Sequence, residues 1–75
     1  MNWRDHIVVD PEILHGQACF RGTRIPVTVI LDNLAAGVSE AQLRAEYPSL
    51  PERAVRAAIA YAAELAKERI LDLPA

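Results

Sequence analysis

The fold is decided by the segment Gly16-Gln17-Ala18-Cys19-Phe20-Arg21-Gly22-Thr23-Arg24-Ile25-Pro26, which separates a short apolar run from three amphipathic patterns. Glycine tolerates a positive φ and proline fixes φ, so this segment is expected to form a shaped surface loop that leads into a helix. Arg21 and Arg24 then lie on a loop held by a scaffold, where binding residues are common. We therefore predict an interaction element here, with Arg21, Gly22, Thr23 and Arg24 as candidate partner contacts.

Upstream of this segment the sequence is typical of short strands and turns. The β-branched run Ile7–Val9 predicts a strand, and residues 18–20 predict a second strand that pairs with it antiparallel. Asp10 is suited to cap a single helical turn over residues 11–14, which His15-Gly16 would end. Two strands alone are marginal in water, and an open strand edge invites another chain. The ribbon therefore needs the helices or a neighbour's strand beside it.

Downstream of Pro26 the apolar period becomes helical. Gly37 is placed to end a first helix, and Ser39 with Gln42 matches a capping box for a second, short helix that ends near Tyr47. The first helix is indicated by four apolar residues at the spacing i, i+3, i+4 and i+7, namely Val27, Ile30, Leu31 and Leu34.

A long third helix is predicted to end at Ile70 or Leu71. It begins either with a second capping box at Ser49 or with a cap at Leu50 and Pro51 at the first helical position. Its core stripe is expected at Val55, Ile59, Ala62, Ala66 and Ile70. A second apolar flank is wider than one small core needs, so it is a candidate dimer interface: Ala54, Ala58, Tyr61 and Leu65.

Size and composition favour one small domain that works with a partner. The chain has 75 residues, of which 52% are hydrophobic, and a net charge of −2 from eight basic and ten acidic residues. A chain this short is marginally stable alone, and an acidic balance weakens tight DNA binding by a single copy. We predict a single domain over residues 1–75, with ribbon and turns in 1–26 and a helix-turn-helix core in 27–75.

The chemistry-bearing residues do not form a catalytic or metal-binding pattern. Cys19 is the one cysteine and His6 and His15 are the only histidines, too few for a disulfide or a zinc site. Cys19 lies between apolar residues and is expected to be a small buried side chain, whereas His15 is expected in a turn. We predict no enzyme activity, no metal and no cofactor. A polar start without an apolar stretch behind it predicts a cytoplasmic protein that contacts no membrane.

The order of the helices is typical of a helix-turn-helix protein, in which a short glycine-containing turn joins two helices. If the third helix enters a DNA groove, Arg53 and Arg56 at its amino end are the candidate DNA contacts. The alternative is a solvated helix face on which these arginines pair with Glu52. Trp3 is either a core plug or an interface anchor, and we favour the interface because tryptophan is enriched there.

Several motifs in this order resemble the bacterial domain of unknown function 433 family. They are Ile7–Gly16, Arg21–Val27 with its Gly-Thr-Arg-Ile-Pro-Val core, Gly37–Ser39 and Tyr47–Leu50. The resemblance covers about residues 7–65. The family pattern usually has proline where this chain has Ala18, which affects the local loop shape.

The resemblance implies a mainly α fold, a homeodomain-like helix-turn-helix core of three helices preceded by a short N-terminal β-ribbon. It also implies an antitoxin of a type II toxin–antitoxin pair, often encoded beside a PIN-like ribonuclease toxin, and it offers no catalytic residues. We therefore expect an antitoxin-like adaptor that forms a homodimer, binds a PIN-like toxin through its arginines and contacts operator DNA. Two alternatives remain open, namely a stand-alone DNA-binding regulator and a purely structural dimerisation module.

Overall fold

The computed structural model describes residues 1–71, and within the last helix it describes side chains up to Lys67. A 3₁₀ helix at Trp3–Asp5 precedes strand β1 (Ile7–Val8), and a second 3₁₀ turn at Leu14–Gly16 precedes strand β2 (Cys19–Phe20). Three helices follow, α1 (Val27–Ala35), α2 (Glu40–Glu46) and α3 (Ala54–Leu71). The predicted order of a short ribbon and three helices is confirmed.

The ribbon pairs its two strands antiparallel, with Ile7 opposite Phe20 and Val8 opposite Cys19. On the other side of β2, the amide of Phe20 donates to the carbonyl of Ile25, which folds the chain back over residues 21–24. Strand β2 therefore lies between β1 and the residues that lead into α1. Phe20 and Ile7 are buried in the core, so the ribbon packs against the helices as the sequence required.

The turn between the strands is confirmed in part. The Asp10 side chain accepts a hydrogen bond from the amide of Glu12 at 2.9 Å, and the Asp10 carbonyl accepts one from the amide of Ile13 at 2.9 Å, which closes the turn that Asp10 was expected to cap. This turn does not include Leu14, which belongs to a separate 3₁₀ turn at Leu14–Gly16. Leu14, His15 and Gly16 all have a positive φ, between 51° and 83°. The chain reverses through left-handed residues here, and this cannot continue a right-handed turn over residues 11–14.

The first two helices begin and end where the sequence indicates. Ser39 accepts a hydrogen bond from the amide of Gln42, and the Gln42 side chain accepts one from the Ser39 amide, which is the predicted capping box. Gly37 follows α1 with a φ of +89°, a conformation that costs glycine little. Val27, Ile30 and Leu43 are the buried residues of these helices.

The start of α3 was predicted too early. The helix begins at Ala54, and the amide of Ala54 donates to the carbonyl of Pro51 rather than to that of Leu50. The Leu50 carbonyl instead accepts a hydrogen bond from the guanidinium of Arg44. Residues 47–53 thus form a connection that ends in the turn from Pro51 to Ala54, and not a first helical turn.

The two faces of α3 were assigned in part the wrong way round. Ala54 and Ala58, expected in a free dimer interface, are completely buried in the core of the single chain, together with Ala57. Tyr61 is half-buried and packs on the same core, whereas Leu65 is 46% exposed beyond its end. Of the stripe expected in the core, Val55 does pack against the core, whereas Ile59 is 54% exposed.

We call the remaining, outward-facing set the outer stripe of α3, which consists of Ile59, Ala62 and Ala66. Ile59 is 54% exposed and Ala66 is exposed, while Ala62 is half-buried. The side chain of Ile70, which was expected in the same stripe, lies outside the described residues. The described part of α3 therefore offers an apolar surface that its own core leaves uncovered.

Candidate protein-interaction site

The loop at residues 21–24 is held in shape by its own backbone and by Thr23. The Thr23 hydroxyl donates to the carbonyl of Phe20 at 2.8 Å and accepts from the amide of Ile25 at 3.1 Å. Gly22 has a φ of +81°, which favours glycine at this position. Gly22 and Thr23, both predicted as partner contacts, therefore have a structural task in presenting the arginines on either side of them.

The two arginines of this loop have different surroundings. Arg21 is exposed, but its guanidinium donates to the main-chain carbonyls of Arg4 and Asp5 at 3.2 and 3.3 Å. It satisfies carbonyl groups at the end of the first 3₁₀ helix and so ties the loop to the amino terminus. Arg24 is exposed as well, and its side chain makes no hydrogen bond or ion pair with another described residue. Arg24 is thus the arginine that a partner can take without breaking an internal contact.

Trp3 lies against α3 of its own chain. Its ring meets the ring of Tyr61 edge to face, with 4.8 Å between the centroids, and its indole N–H donates to the carboxylate of Glu64. The guanidinium of Arg4 lies over the Trp3 ring, 4.4 Å from its centroid, and 3.5 Å from the same carboxylate. Trp3 therefore packs between the amino terminus and α3 of its own chain, which agrees with the expectation of a core residue and not with that of an interface residue.

Arg53 and Arg56 are both exposed at the amino end of α3. They share a shallow concavity of about 290 Å³ with two carboxylates, those of Glu40 and Glu52. The structure therefore brings the two predicted DNA contacts together. It also puts acidic groups beside them, which lowers the positive potential that a phosphate backbone would meet.

The contacts that Arg44 makes between α2 and the connection to α3 were not predicted from the sequence. Its guanidinium binds the Glu40 carboxylate at 2.9 Å along α2 and also donates to the carbonyls of Leu50 and Glu52. Glu40 and Arg44 are four residues apart, a spacing that predicts the ion pair. No pattern in the sequence predicts the longer contacts, which fix where α3 begins and hence where Arg53 and Arg56 lie.

Cys19 and His15 are not among the exposed candidate contacts. Cys19 is buried, as predicted, and its thiol lies 3.7 Å from the carbonyl of Thr23. His15 lies in a turn, also as predicted. Among the side chains that the structure describes, no three of His, Cys, Asp or Glu are grouped so as to hold a metal ion. Within residues 1–71 no helix has the length and the apolar character needed to cross a membrane.

The connections between helices differ in length. Residues 36–39 join α1 to α2, and residues 47–53 join α2 to α3. The short connection contains Gly37, as a helix-turn-helix turn often does. The fold and the exposed surfaces define a small, mainly helical domain that carries a two-stranded antiparallel ribbon.

The chain belongs to the family described as "Protein of unknown function (DUF433)", whose model matches residues 7–62. It is 37% identical over 59 residues to the uncharacterized protein y4eO of Sinorhizobium fredii (strain NBRC 101917 / NGR234). That match covers 79% of this chain and 27% of the relative, so the chain spans about a quarter of the relative's length.

A solved structure has the same fold. It is the crystal structure of a DUF433 member protein from Anabaena variabilis ATCC 29413, which superposes with a TM-score of 0.75 at 31% sequence identity. The superposition covers 87% of this chain and 64% of that one. The family model and the solved structure both confirm the family resemblance that the motifs indicated.

Proposed function

We propose that this chain is an antitoxin-like adaptor that works as a homodimer and binds a PIN-like nuclease through the outer stripe of α3. The observation that carries the proposal is the exposure of that stripe, in which Ile59 is 54% exposed and is followed on the same face by Ala62 and Ala66. A helix that presents apolar residues at i, i+3 and i+7 suits the groove of another protein. Exposed apolar surface of this kind marks interaction sites.

Arg24 supplies the second contact in this proposal. A PIN-like nuclease has an acidic active site, and a guanidinium matches carboxylate groups in both charge and geometry. Arg24 is exposed and has no internal partner among the described residues, so it is the arginine of the loop that is available. Arg21 is already bound to the carbonyls of Arg4 and Asp5 and is assigned the role of holding the loop.

The test is co-expression of the intact chain with the PIN-like nuclease encoded beside its gene, followed by purification on a tag carried by the nuclease. The wild-type chain and Ala41→Glu, a control on the exposed side of α2, are expected to co-purify. Ile59→Glu is expected to be lost from the complex, because it places a charge in the apolar contact. Arg24→Ala is expected to weaken nuclease inhibition. Failure of the wild-type chain to co-purify contradicts the proposal and favours a purely structural dimerisation module.

Operator DNA binding is a second candidate function, favoured by the exposure of Arg53 and Arg56 side by side. In a dimer two such pairs could meet successive major grooves. A gel shift with the DNA upstream of the gene tests this at low and moderate salt. Arg53→Ala and Arg56→Ala should each reduce affinity and flatten the salt dependence. If the dimer forms no sequence-specific complex, operator binding and the stand-alone regulator are both wrong.

A further inference from the structure

We infer that the free edge of β1 pairs antiparallel with β1 of a second copy, across a two-fold axis at Val8. This inference rests on the proposed function, because that function includes a homodimer. The β1 edge is the surface through which the homodimer would form. Some backbone groups of β1 are already paired with β2. The amide of Arg21 donates to the carbonyl of His6, and Val8 lies opposite Cys19. In an antiparallel pair these alternate residues, His6 and Val8, turn their backbone groups toward β2.

Ile7 therefore turns its N–H and C=O groups away from β2, and Val9, the residue directly after β1, does the same where the extended backbone continues by one residue. Within the described residues no hydrogen bond outside the ribbon engages these groups. The opposite edge of the ribbon is different, because the residue that bridges to Cys19 there is Pro26, which has no N–H to offer. The ribbon thus has one edge blunted by proline and one edge, β1, that is free to accept a strand.

The free edge of β1 is complementary to itself. If Val8 faces Val8 of the second copy, Ile7 of each chain lies opposite Val9 of the other, and each such pair exchanges two backbone hydrogen bonds. All four outward N–H groups and all four outward carbonyls are then satisfied. A single strand register thus uses every unpaired backbone group that the edge presents, which is the condition for a closed, two-fold interface.

The side chains favour the same register. Val9 lies on the face of the strand that carries the buried Ile7, yet it is 57% exposed. In the pairing it meets Ile7 of the other copy, which would cover it. On the opposite face Asp10 of one chain lies across from His6 of the other, and this happens twice by symmetry. An imidazole N–H can donate to that carboxylate, so the flanks are complementary as well as the strand centre.

The first test is the oligomeric state of the intact chain by light scattering across a dilution series. Val9→Pro removes an outward N–H that bonds nothing in the single chain, and should raise the dimer dissociation constant about 100-fold by losing two hydrogen bonds. Val9→Ile keeps the N–H and should dimerise like wild type. Ile59→Glu should also leave the dimer intact, because it lies on α3. Circular dichroism of Val9→Pro checks that its helices are unchanged.

The second test reads the register and does not depend on proline being tolerated. Cys19 is the partner of Val8 in the ladder, so cysteines are introduced in a Cys19→Ala chain. Val8→Cys should cross-link two chains on oxidation, because a non-hydrogen-bonded pair brings the two Cα atoms to about 4.5 Å. Val9→Cys should not, since its symmetry mate lies diagonally at roughly 7–8 Å.

The outcomes separate this inference from the proposed function. A dimer that persists in Val9→Pro, or cross-linking at Val9 in place of Val8, overturns the β1 pairing while nuclease binding through Ile59 still stands. A monomeric wild-type chain whose nuclease binding is lost in Val9→Pro also overturns it, because the edge would then take a strand of the nuclease. A β1 dimer that does not bind the nuclease supports the inference and contradicts the function.

Discussion

At the scale of single residues, Trp3 and Arg44 each connect two different elements of the chain. Trp3 joins the amino terminus to α3 through Tyr61 and Glu64, although 61 residues separate Trp3 from Glu64. Arg44 joins α2 to the connection that precedes α3. Neither set of contacts has a signature in the sequence, because local spacing does not record which distant side chain a tryptophan will meet or which main-chain carbonyls an arginine will bind.

The internal role of Trp3 can be tested by unfolding. Trp3→Ala removes the contact with Tyr61, the hydrogen bond to Glu64 and the surface under Arg4, so we expect a loss of about 2 kcal/mol in the free energy of unfolding. Trp3→Phe keeps a ring against Tyr61 and should lose about 1 kcal/mol, the value of the missing N–H contact. Urea denaturation followed by circular dichroism measures both. If Trp3→Ala is as stable as the wild-type chain, the internal role is wrong and Trp3 is better explained as a partner contact.

At the scale of elements, the sequence predicted α1, α2 and the ribbon well, because their signals are local. The capping box at Ser39 and Gln42, the glycine after α1 and the β-branched strand each act within a few residues. The faces of α3 were not predictable in this way. Alanine lies on almost every side of that helix, so the apolar period has little contrast, and tertiary packing decided that Ala54 and Ala58 face inward.

The two serines predicted as helix caps give a matched pair of variants. Ser39→Ala should cost about 1 kcal/mol of stability, because Ser39 accepts a hydrogen bond from the amide of Gln42. Ser49→Ala should change stability by less than about 0.5 kcal/mol, since α3 begins five residues later, at Ala54. Urea denaturation of the two variants compares them directly. Equal losses would mean that Ser49 caps a helix after all.

At the scale of the whole molecule, the chain presents three separate surfaces. The outer stripe of α3 is assigned to the nuclease and the β1 edge to a second copy, whereas Arg53 and Arg56 form the candidate DNA surface. The stripe is on α3, and β1 belongs to the ribbon at the other end of the sequence. We expect a dimer built on β1 to keep both stripes exposed, in which case one dimer would hold two nuclease molecules.

This arrangement predicts a concentration-dependent stability for the free protein. A dimer that forms from folded chains stabilises them by mass action, so the melting temperature of the wild-type chain should rise with protein concentration. Val9→Pro should melt at one temperature across the same series. Thermal unfolding over a hundredfold range of concentration makes the comparison. A flat wild-type series would indicate a self-sufficient monomer.

The central claim, that the outer stripe of α3 binds the nuclease, is tested most directly by isothermal titration of the intact chain into that nuclease. We predict binding by the wild-type chain and by the control Ala41→Glu with the same dissociation constant. For Ile59→Glu we predict weakening of about 100-fold, which corresponds to the loss of one interface hot spot. Binding of Ile59→Glu with wild-type affinity, or no binding by the wild-type chain, would contradict the claim.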